Sequence, residues 1–205
     1  TGTLIHTLDN PGADRGDWIT FGYKVGISGN YAIAGAPYED SAGGDSKSGK
    51  AYIFNVTTGD LVHTLDNPNP YSTPVDDYFG WSVGISGNYA VVGAYGEDTA
   101  GGTRSGKAYI FNVSTGALVY TLDNPNAYDT STGDSFPSDN GVSISGDYAV
   151  VGARHEDSAE GTSAGHAYIF NVSTGALVHS IPNPNTQVWG ESSDGFGWSV
   201  AIDGN

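Results

Sequence analysis

Apolar positions fall into short runs of strand length, and the same order of runs returns along the chain. In the middle of the sequence Trp81-Ser82-Val83-Gly84-Ile85-Ser86 alternates apolar with small or polar residues, the period of a strand with one covered face. Gly87-Asn88 follows, a dipeptide suited to a tight hairpin. Tyr89-Ala90-Val91-Val92-Gly93-Ala94 is continuously apolar or small, which predicts a central strand covered on both faces. A polar loop runs from Tyr95 to Ser105. Lys107–Val113, rich in aromatic and branched residues, predicts a third strand. Ser114-Thr115-Gly116 turns the chain, and Ala117–Leu122 is a fourth strand. No segment carries the 3.6-residue period of a helix.

The pattern is periodic. Phe-Asn-Val-[Ser/Thr]-Thr-Gly begins at Phe54, Phe111 and Phe170, at intervals of 57 and 59 residues. Ile-Ser-Gly-[Asn/Asp] begins at Ile27, Ile85 and Ile144, with Ile202-Asp203-Gly204-Asn205 as a variant. Leu-Asp-Asn-Pro begins at Leu8, Leu65 and Leu122, and returns as Ile181-Pro182-Asn183-Pro184. A fixed period of this length means that each repeat is one supersecondary unit in an array. Four short antiparallel strands per unit are what the blades of a β-propeller use. A β-solenoid would need shorter coils. Gly93 recurs as Gly35 and Gly152 inside the second strand, where glycine lets a neighbouring sheet approach closely.

The fold class expected is therefore all-β, a propeller of four-stranded antiparallel blades. The blades span about 19–67, 78–124 and 138–183, with an orphan fourth strand over 1–10 and an orphan first strand over 196–205. Both ends fall inside hairpin turns by alignment with Thr58-Gly59 and Gly87-Asn88. Together with the absence of methionine, this predicts a window from a longer array, which on its own leaves blade faces open and prone to association.

The repeats resemble a known family. Phe21-Gly22 with Gly35-Ala36-Pro37 spells the FG-GAP repeat literally, Phe79-Gly80 with Gly93-Ala94-Tyr95 is a close variant, and Phe196-Gly197-Trp198-Ser199-Val200 begins another. FG-GAP repeats build the seven-bladed propeller of integrin α subunits and of bacterial, algal and phage surface proteins. The resemblance thus implies a ring of seven blades, an extracellular, cell-surface or virion-surface location, and a role in recognition or adhesion. Two departures stand out. The third repeat reads Phe136-Pro137-Ser138-Asp139-Asn140-Gly141, losing its Phe-Gly pair and gaining two residues. The D-x-D-x-D-G calcium loop of integrin-type repeats is replaced by the tight turns Ser28-Gly29-Asn30, Ser86-Gly87-Asn88 and Ser145-Gly146-Asp147, so calcium binding does not transfer onto those positions.

Charge narrows the partners. The chain has 23 acidic against 7 basic residues, a formal net charge of −16, and no cysteine. That balance argues against nucleic acid and anionic membrane surfaces, and no apolar run is long enough for membrane insertion. It leaves a protein or glycan surface ligand, or neighbouring copies in a larger assembly. Disulfides and thiolate metal sites are excluded.

Twenty of the 23 acids lie in the loops after the second and fourth strands, which emerge on the same edge of an up-and-down blade and predict an acidic face. Asp, Asn and Gly also abound in loops simply because they form turns. If the face binds Ca²⁺, the metal candidates are Asp76, Asp77, Glu97 and Asp98, with Glu39, Asp40, Glu156 and Asp157 at equivalent places. The recurring Glu-Asp pair has a plainer role, the Asp side chain capping loop amides. Asn55, Asn112 and Asn171 sit in glycosylation sequons that double as strand-to-turn residues. His6, His63 and His179 share a fourth-strand slot with Tyr120, an interchange that fits a half-buried ring and not a metal ligand. No nucleophile–base signature is present, so a non-enzymatic module is expected. An enzymatic alternative, a quinoprotein (PQQ) propeller, shares the Ala-Tyr-Ile-Phe-Asn-Val-Ser-Thr-Gly-Ala-Leu-Val stretch. Trp81 and Trp198 precede the first strand, however, and Trp18 and Trp189 lie in loops, unlike the tryptophan docking pattern of that family. A purely architectural repeat of a fibre or filament is the third reading.

Overall fold

The computed structural model describes residues 2–12, 20–40, 47–70, 76–98, 105–126, 135–157, 163–185 and 194–204. Its twelve strands form three antiparallel sheets of four, each in sequential order. The first sheet holds β1 (Val25–Ser28), β2 (Tyr31–Ala36), β3 (Lys50–Asn55) and β4 (Leu61–Asp66). The second holds β5 (Phe79–Ser86), β6 (Tyr89–Ala94), β7 (Lys107–Asn112) and β8 (Leu118–Asp123). The third holds β9 (Val142–Ser145), β10 (Tyr148–Ala153), β11 (His166–Asn171) and β12 (Leu177–Pro182). The tight turns close at Ser28↔Tyr31, Ser86↔Tyr89 and Ser145↔Tyr148. Each turn places its glycine in the left-handed region, at φ near 54° or 55°, where glycine carries no Cβ penalty.

Apolar runs without alternation become central strands because both faces are covered. Val91 packs toward the third sheet, in a cluster with Ile110, Leu122, Ile144 and Val151. Its neighbour Val92 packs toward the first sheet, with Ile33, Ile53, Leu65 and Ile85. Val150 and Val151 are likewise buried. Val91, Val92 and Val151 therefore lie between sheets, while Val150 is buried outside both inter-sheet clusters. The first sheet has an open side: on its first strand, Val25 and Ile27 are each 70% exposed, whereas their counterparts Val83, Ile85, Val142 and Ile144 are buried.

Consecutive sheets approach at their glycines. A Cβ on Gly35 would collide with the backbone of Gly80, one on Gly93 with Pro137, and one on Gly152 with Gly197. Parallel bridges Gly49↔Phe79 and Gly165↔Phe196 join one repeat to the next. The third repeat keeps half of its Phe-Gly pair. Phe136 is fully buried and sits 6.1 and 6.4 Å from the rings of Tyr168 and Phe170, as Phe79 does with Tyr109 and Phe111 at 5.8 and 5.9 Å. Only the glycine is exchanged, for Pro137.

The two terminal segments expected as orphan strands, 1–10 and 196–205, belong to none of the twelve strands over their described residues 2–10 and 196–204. Leu8 packs on the cluster of Tyr52 and Phe54, and the amide of Ile202 donates to Ser143 Oγ at 3.2 Å. The first segment docks through side chains such as His6 and Leu8, whereas the second is also held by backbone bonds, the Val200 amide donating to the Asn140 carbonyl at 3.2 Å beside the Gly165↔Phe196 and Asn140↔Ser199 bridges.

Candidate functional site

In each sheet the second and fourth strands end, and the first and third begin, on one edge, where the loops that hold most of the acids depart. Both long-loop classes therefore share one edge, as expected. Asp14, Asp17, Asp45, Asp129, Asp134, Glu160 and Glu191, and the indoles of Trp18 and Trp189, lie outside the described residues. The eight metal candidates are all described, and the structure separates them by role.

Glu39, Glu97 and Glu156 are not on the surface; each is at most 1% exposed. Each turns inward after the second strand and meets the tyrosine of its own third strand. Tyr52 OH donates to Glu39 Oε1 at 2.6 Å, Tyr109 OH lies 2.6 Å from both carboxyl oxygens of Glu97, and Tyr168 OH donates to Glu156 Oε1. A second donor comes from the linker that left the preceding blade. Asn69 Nδ2 donates to Glu97 Oε1 at 2.8 Å, and Asn126 Nδ2 to Glu156 Oε1 at 2.8 Å. In the first repeat Gly12 packs against the Glu39 carboxyl. The glutamate thus ties an incoming linker to the sheet it enters.

The countercharge differs between repeats. Lys50 Nζ bonds Glu39 Oε1 directly at 3.0 Å. Lys107, in the same slot, pairs with Asp123. His166 replaces the lysine in the third repeat, with Nδ1 3.5 Å from Glu156. Burial pushes Glu97 up to about 7 against the pull of its bonds to Tyr109 and Asn69, and the nearby Asp77 carboxylate adds to the rise. Burial likewise pushes Glu156 up to about 7 and holds His166 below the usual histidine range.

The aspartates do other work. Asp40 Oδ1 accepts the Lys47 amide at 2.9 Å, and Asp157 Oδ1 accepts the Ser163 amide at 2.7 Å, the loop-capping role expected of the pair. Asp98 is half-buried in the equivalent loop. Asp77 is buried and accepts Asn67 Nδ2 at 3.0 Å. Asp76 accepts Lys47 Nζ at 2.9 Å and Tyr78 OH at 2.7 Å. Among the described residues no three His, Cys, Asp or Glu side chains converge as a metal site would require. The candidate acids are brought near one another in pairs, and those pairs are engaged by tyrosine, asparagine and lysine.

Other recurring residues also serve the joints. His6 Nε2 lies 3.0 Å from the Thr57 carbonyl oxygen and Tyr120 OH donates to the Ser173 carbonyl at 2.8 Å. The rings of His6, His63 and Tyr120 cover Gly59, Gly116 and Gly175 of the next repeat. That explains the His–Tyr interchange, since either ring can cap a glycine and reach a carbonyl. Near the first strands, Ser28, Ser86 and Ser145 accept the amides of Gly87, Gly146 and Gly204 at 3.1, 3.3 and 3.0 Å. The sequon asparagines are turn caps: Asn112 Oδ1 accepts the amides of Ser114 and Thr115 at 3.0 and 3.1 Å, and Asn55 and Asn171 do the same.

Sequence reasoning missed an aromatic belt on the long-loop edge. The Trp81 ring lies 4.7 Å from Tyr23, 4.6 Å from Tyr95, 5.4 Å from Tyr78 and 6.0 Å from Tyr38. Trp81 Nε1 donates to Asp139 Oδ1 at 2.9 Å. Asp139 pairs with Arg154, whose guanidinium stands 4.1 Å over the ring of Trp198. These rings are half-buried, and Tyr23 and Trp198 are exposed. The belt crosses all three repeats. The signal was the aromatic residue after each Phe-Gly pair at Tyr23, Trp81 and Trp198.

Successive four-stranded antiparallel sheets, joined face to face through glycine contacts and buried aliphatic clusters, define a β-propeller repeat array. The chain belongs to the FG-GAP repeat family, which it matches over residues 12–54, 74–111 and 126–170. Comparison with curated proteins gives no match. Among solved structures, the chain is similar to the computationally designed Ika8 protein, at 17% identity over 76% of this chain and 35% of that one, with a TM-score of 0.44. It is also similar to Sqt1 of Saccharomyces cerevisiae, at 12% identity over 74% and 30%, TM-score 0.46. A third is the Cps50 (Swd1) β-propeller domain of Myceliophteria thermophila, at 9% identity over 75% and 35%, TM-score 0.42. The chain spans about a third of the length of each of these structures.

Proposed function

We propose that this chain is part of a non-enzymatic recognition module carried on an extracellular, cell or virion surface, and that its contact surface is the aromatic belt on the long-loop edge. Family membership supports the class of module. The observation that carries the binding surface is the belt itself: Trp81 and four tyrosines, with Asp139 and Arg154 at its edge, half-exposed outside the two clusters that span consecutive sheets. Aromatic rings with polar rims are the residues that dominate protein contact surfaces. The partner is a protein or glycan surface. A strongly acidic chain favours a partner that is neutral or basic over an anionic one.

The test is binding of the full chain to immobilised basic proteins and to a neutral glycan array, beside Trp81→Ala and Tyr23→Ala with their melting temperatures recorded. The expected result is binding that these substitutions weaken at least tenfold while the fold persists. No binding by the intact chain, or binding that both variants retain, overturns the proposal. Labelling of the native protein on intact cells or particles by an impermeant reagent checks location, and failure to label sinks that half of the reading.

A further inference from the structure

We propose that Glu97 and Glu156 are proton-sensitive clasps between blades: protonated, each holds the linker from the preceding blade against the sheet it enters; ionised, each loosens that joint. The geometry carries the argument. Both carboxyls are buried, and both join a third-strand tyrosine to a linker asparagine 28 or 30 residues earlier in the chain. Among the described residues, neither has a bonded permanent cation. Around Glu97 stand Tyr109 and Lys107 from β7, Asn69 and Asp77 from the linker, and Asp98 beside it. Lys107 bonds Asp123 and draws Glu97 down less than burial pushes it up, and the Asp77 carboxylate opposes a second negative charge. Around Glu156 stand Tyr168 and His166 from β11, Asn124 and Asn126 from the linker, and Asp157 beside it. A buried charge without a paired opposite charge is costly, and that cost outweighs what the tyrosine and asparagine donors give back to the ionised form. The first repeat is the internal contrast, because Glu39 has Lys50 at bonding distance.

The sign follows from the direction of the shift. Both glutamates are raised from 4.5 to about 7 in the fold, so the folded chain holds these protons more tightly than the unfolded one. Their stabilising contribution is full below about 4.5, declines as pH rises, and is lost above about 7. The two shifted histidines act oppositely. Burial lowers His155 and His166, so their contribution grows with pH, and the sign of the slope separates the two classes.

The experiment uses the full chain labelled with ¹³C at the glutamate δ-carbons and titrated by NMR, with Glu97→Gln and Glu156→Gln to assign the two resonances. Both should titrate near pH 7. Urea unfolding between pH 5.5 and 8 gives the second readout. The unfolding constant should rise by up to about tenfold per pH unit for each clasp until it levels off near 7. The double glutamine variant should lose that rise. Backbone exchange protection at Asn69 and Asn126 should fall over the same window in the parent chain only. Midpoints below about 5.5, or equal pH dependence in parent and double variant, overturn the proposal. Failure of the belt to bind a partner leaves all these readouts unchanged, so the two ideas fail separately.

Discussion

Replacing Gly35 by alanine should destabilise the chain, although the same change in an unobstructed strand would help it. Gly35 does not occupy the left-handed region, so its own backbone accepts alanine, and the reduced freedom of the unfolded chain alone would stabilise by about 0.4–1 kcal/mol. The neighbour decides otherwise. A Cβ there would stand 2.0 Å from the Gly80 carbonyl oxygen, 3.0 Å from its carbon and 3.3 Å from Val83 Cγ1. Ordinary contact begins near 3.4 Å, so the second sheet must retreat by more than an ångström or β2 must bend. A gap of 0.5–1 Å already forfeits a quarter to a half of each dispersion contact. The joint that opens is the one where Ile33, Ile53 and Leu65 meet Val83, Ile85 and Val92. Overpacking of this kind costs about 1–3 kcal/mol and occasionally more. After the entropic gain, we expect a net loss of about 2 kcal/mol, or a fall in Tm of roughly 4–8 °C for a chain of this size. Urea denaturation and thermal melts measure it, with Gly2→Ala as the control because nothing lies within 4 Å of that site. Gly152→Ala should cost less, because its obstacle, Gly197, belongs to a segment outside any sheet that can move aside. An unchanged or more stable Gly35→Ala, or a larger loss at Gly152 than at Gly35, refutes the reasoning.

Tyr109→Phe removes the buried hydroxyl that both oxygens of Glu97 share, and should cost about 1–3 kcal/mol in urea unfolding; a loss below 0.5 kcal/mol would mean that the clasp does not hold the sheet. Tyr120→Phe gives up only an exposed bond to the Ser173 carbonyl and should cost less than about 1 kcal/mol, whereas Tyr120→Ala, which uncovers Gly175, should cost clearly more by the same assay. Calcium should raise Tm no more than magnesium at equal ionic strength, since Glu39, Glu97, Asp76 and Asp77 are engaged by protein donors; a calcium-specific rise abolished by Asp77→Asn with Asp98→Asn would restore the metal reading. Val25 and Ile27 present an apolar face that the second and third sheets bury, so the chain should self-associate in sedimentation, and Val25→Ser with Ile27→Ser should shift it toward monomer.

The strands were legible because they depend on nearest neighbours and on turn chemistry. β6 runs over Tyr89–Ala94, the very segment that the uninterrupted apolar run marks; β7 stops one residue short of the expected end, and β8 lies one residue further along at both ends. The close approach at Gly35, Gly93 and Gly152 was legible too, because glycine inside a strand has few other purposes. The clasp was not. A glutamate at the head of a polar loop reads as solvated, and nothing local says that it folds back onto a tyrosine 12 or 13 residues later or receives an asparagine from the previous linker. The missing signal was the constancy of that interval. Asp40 and Asp157 were read correctly as caps because their partners lie six or seven residues away in the same loop. The third repeat misled for a related reason. Phe136 keeps its place on Tyr168 and Phe170 by ring packing, and the lost glycine affects only the contact with Gly93.

The joint, more than the blade, is the unit that this sequence repeats. Each boundary between full sheets is closed at four depths: serine to glycine amide at the inner turns, strand glycine against the next repeat, a buried aliphatic cluster, and a fourth-strand ring over the next turn glycine. In an array whose energetics are nearest-neighbour sums, residues that face a neighbour are constrained by two repeats at once. Residues that face solvent are constrained by one. That is why the phrases that recur most faithfully here are joint residues. It is also why the variation worth following is the slot held by Lys50, Lys107 and His166, where the residue stays next to the same buried carboxyl but supplies a different countercharge. Exchanging His166 for lysine should therefore convert the third joint toward the first, lowering the Glu156 midpoint in the same carbon-detected titration. A midpoint that does not move would show that burial alone, and not the missing cation, sets the proton on that clasp.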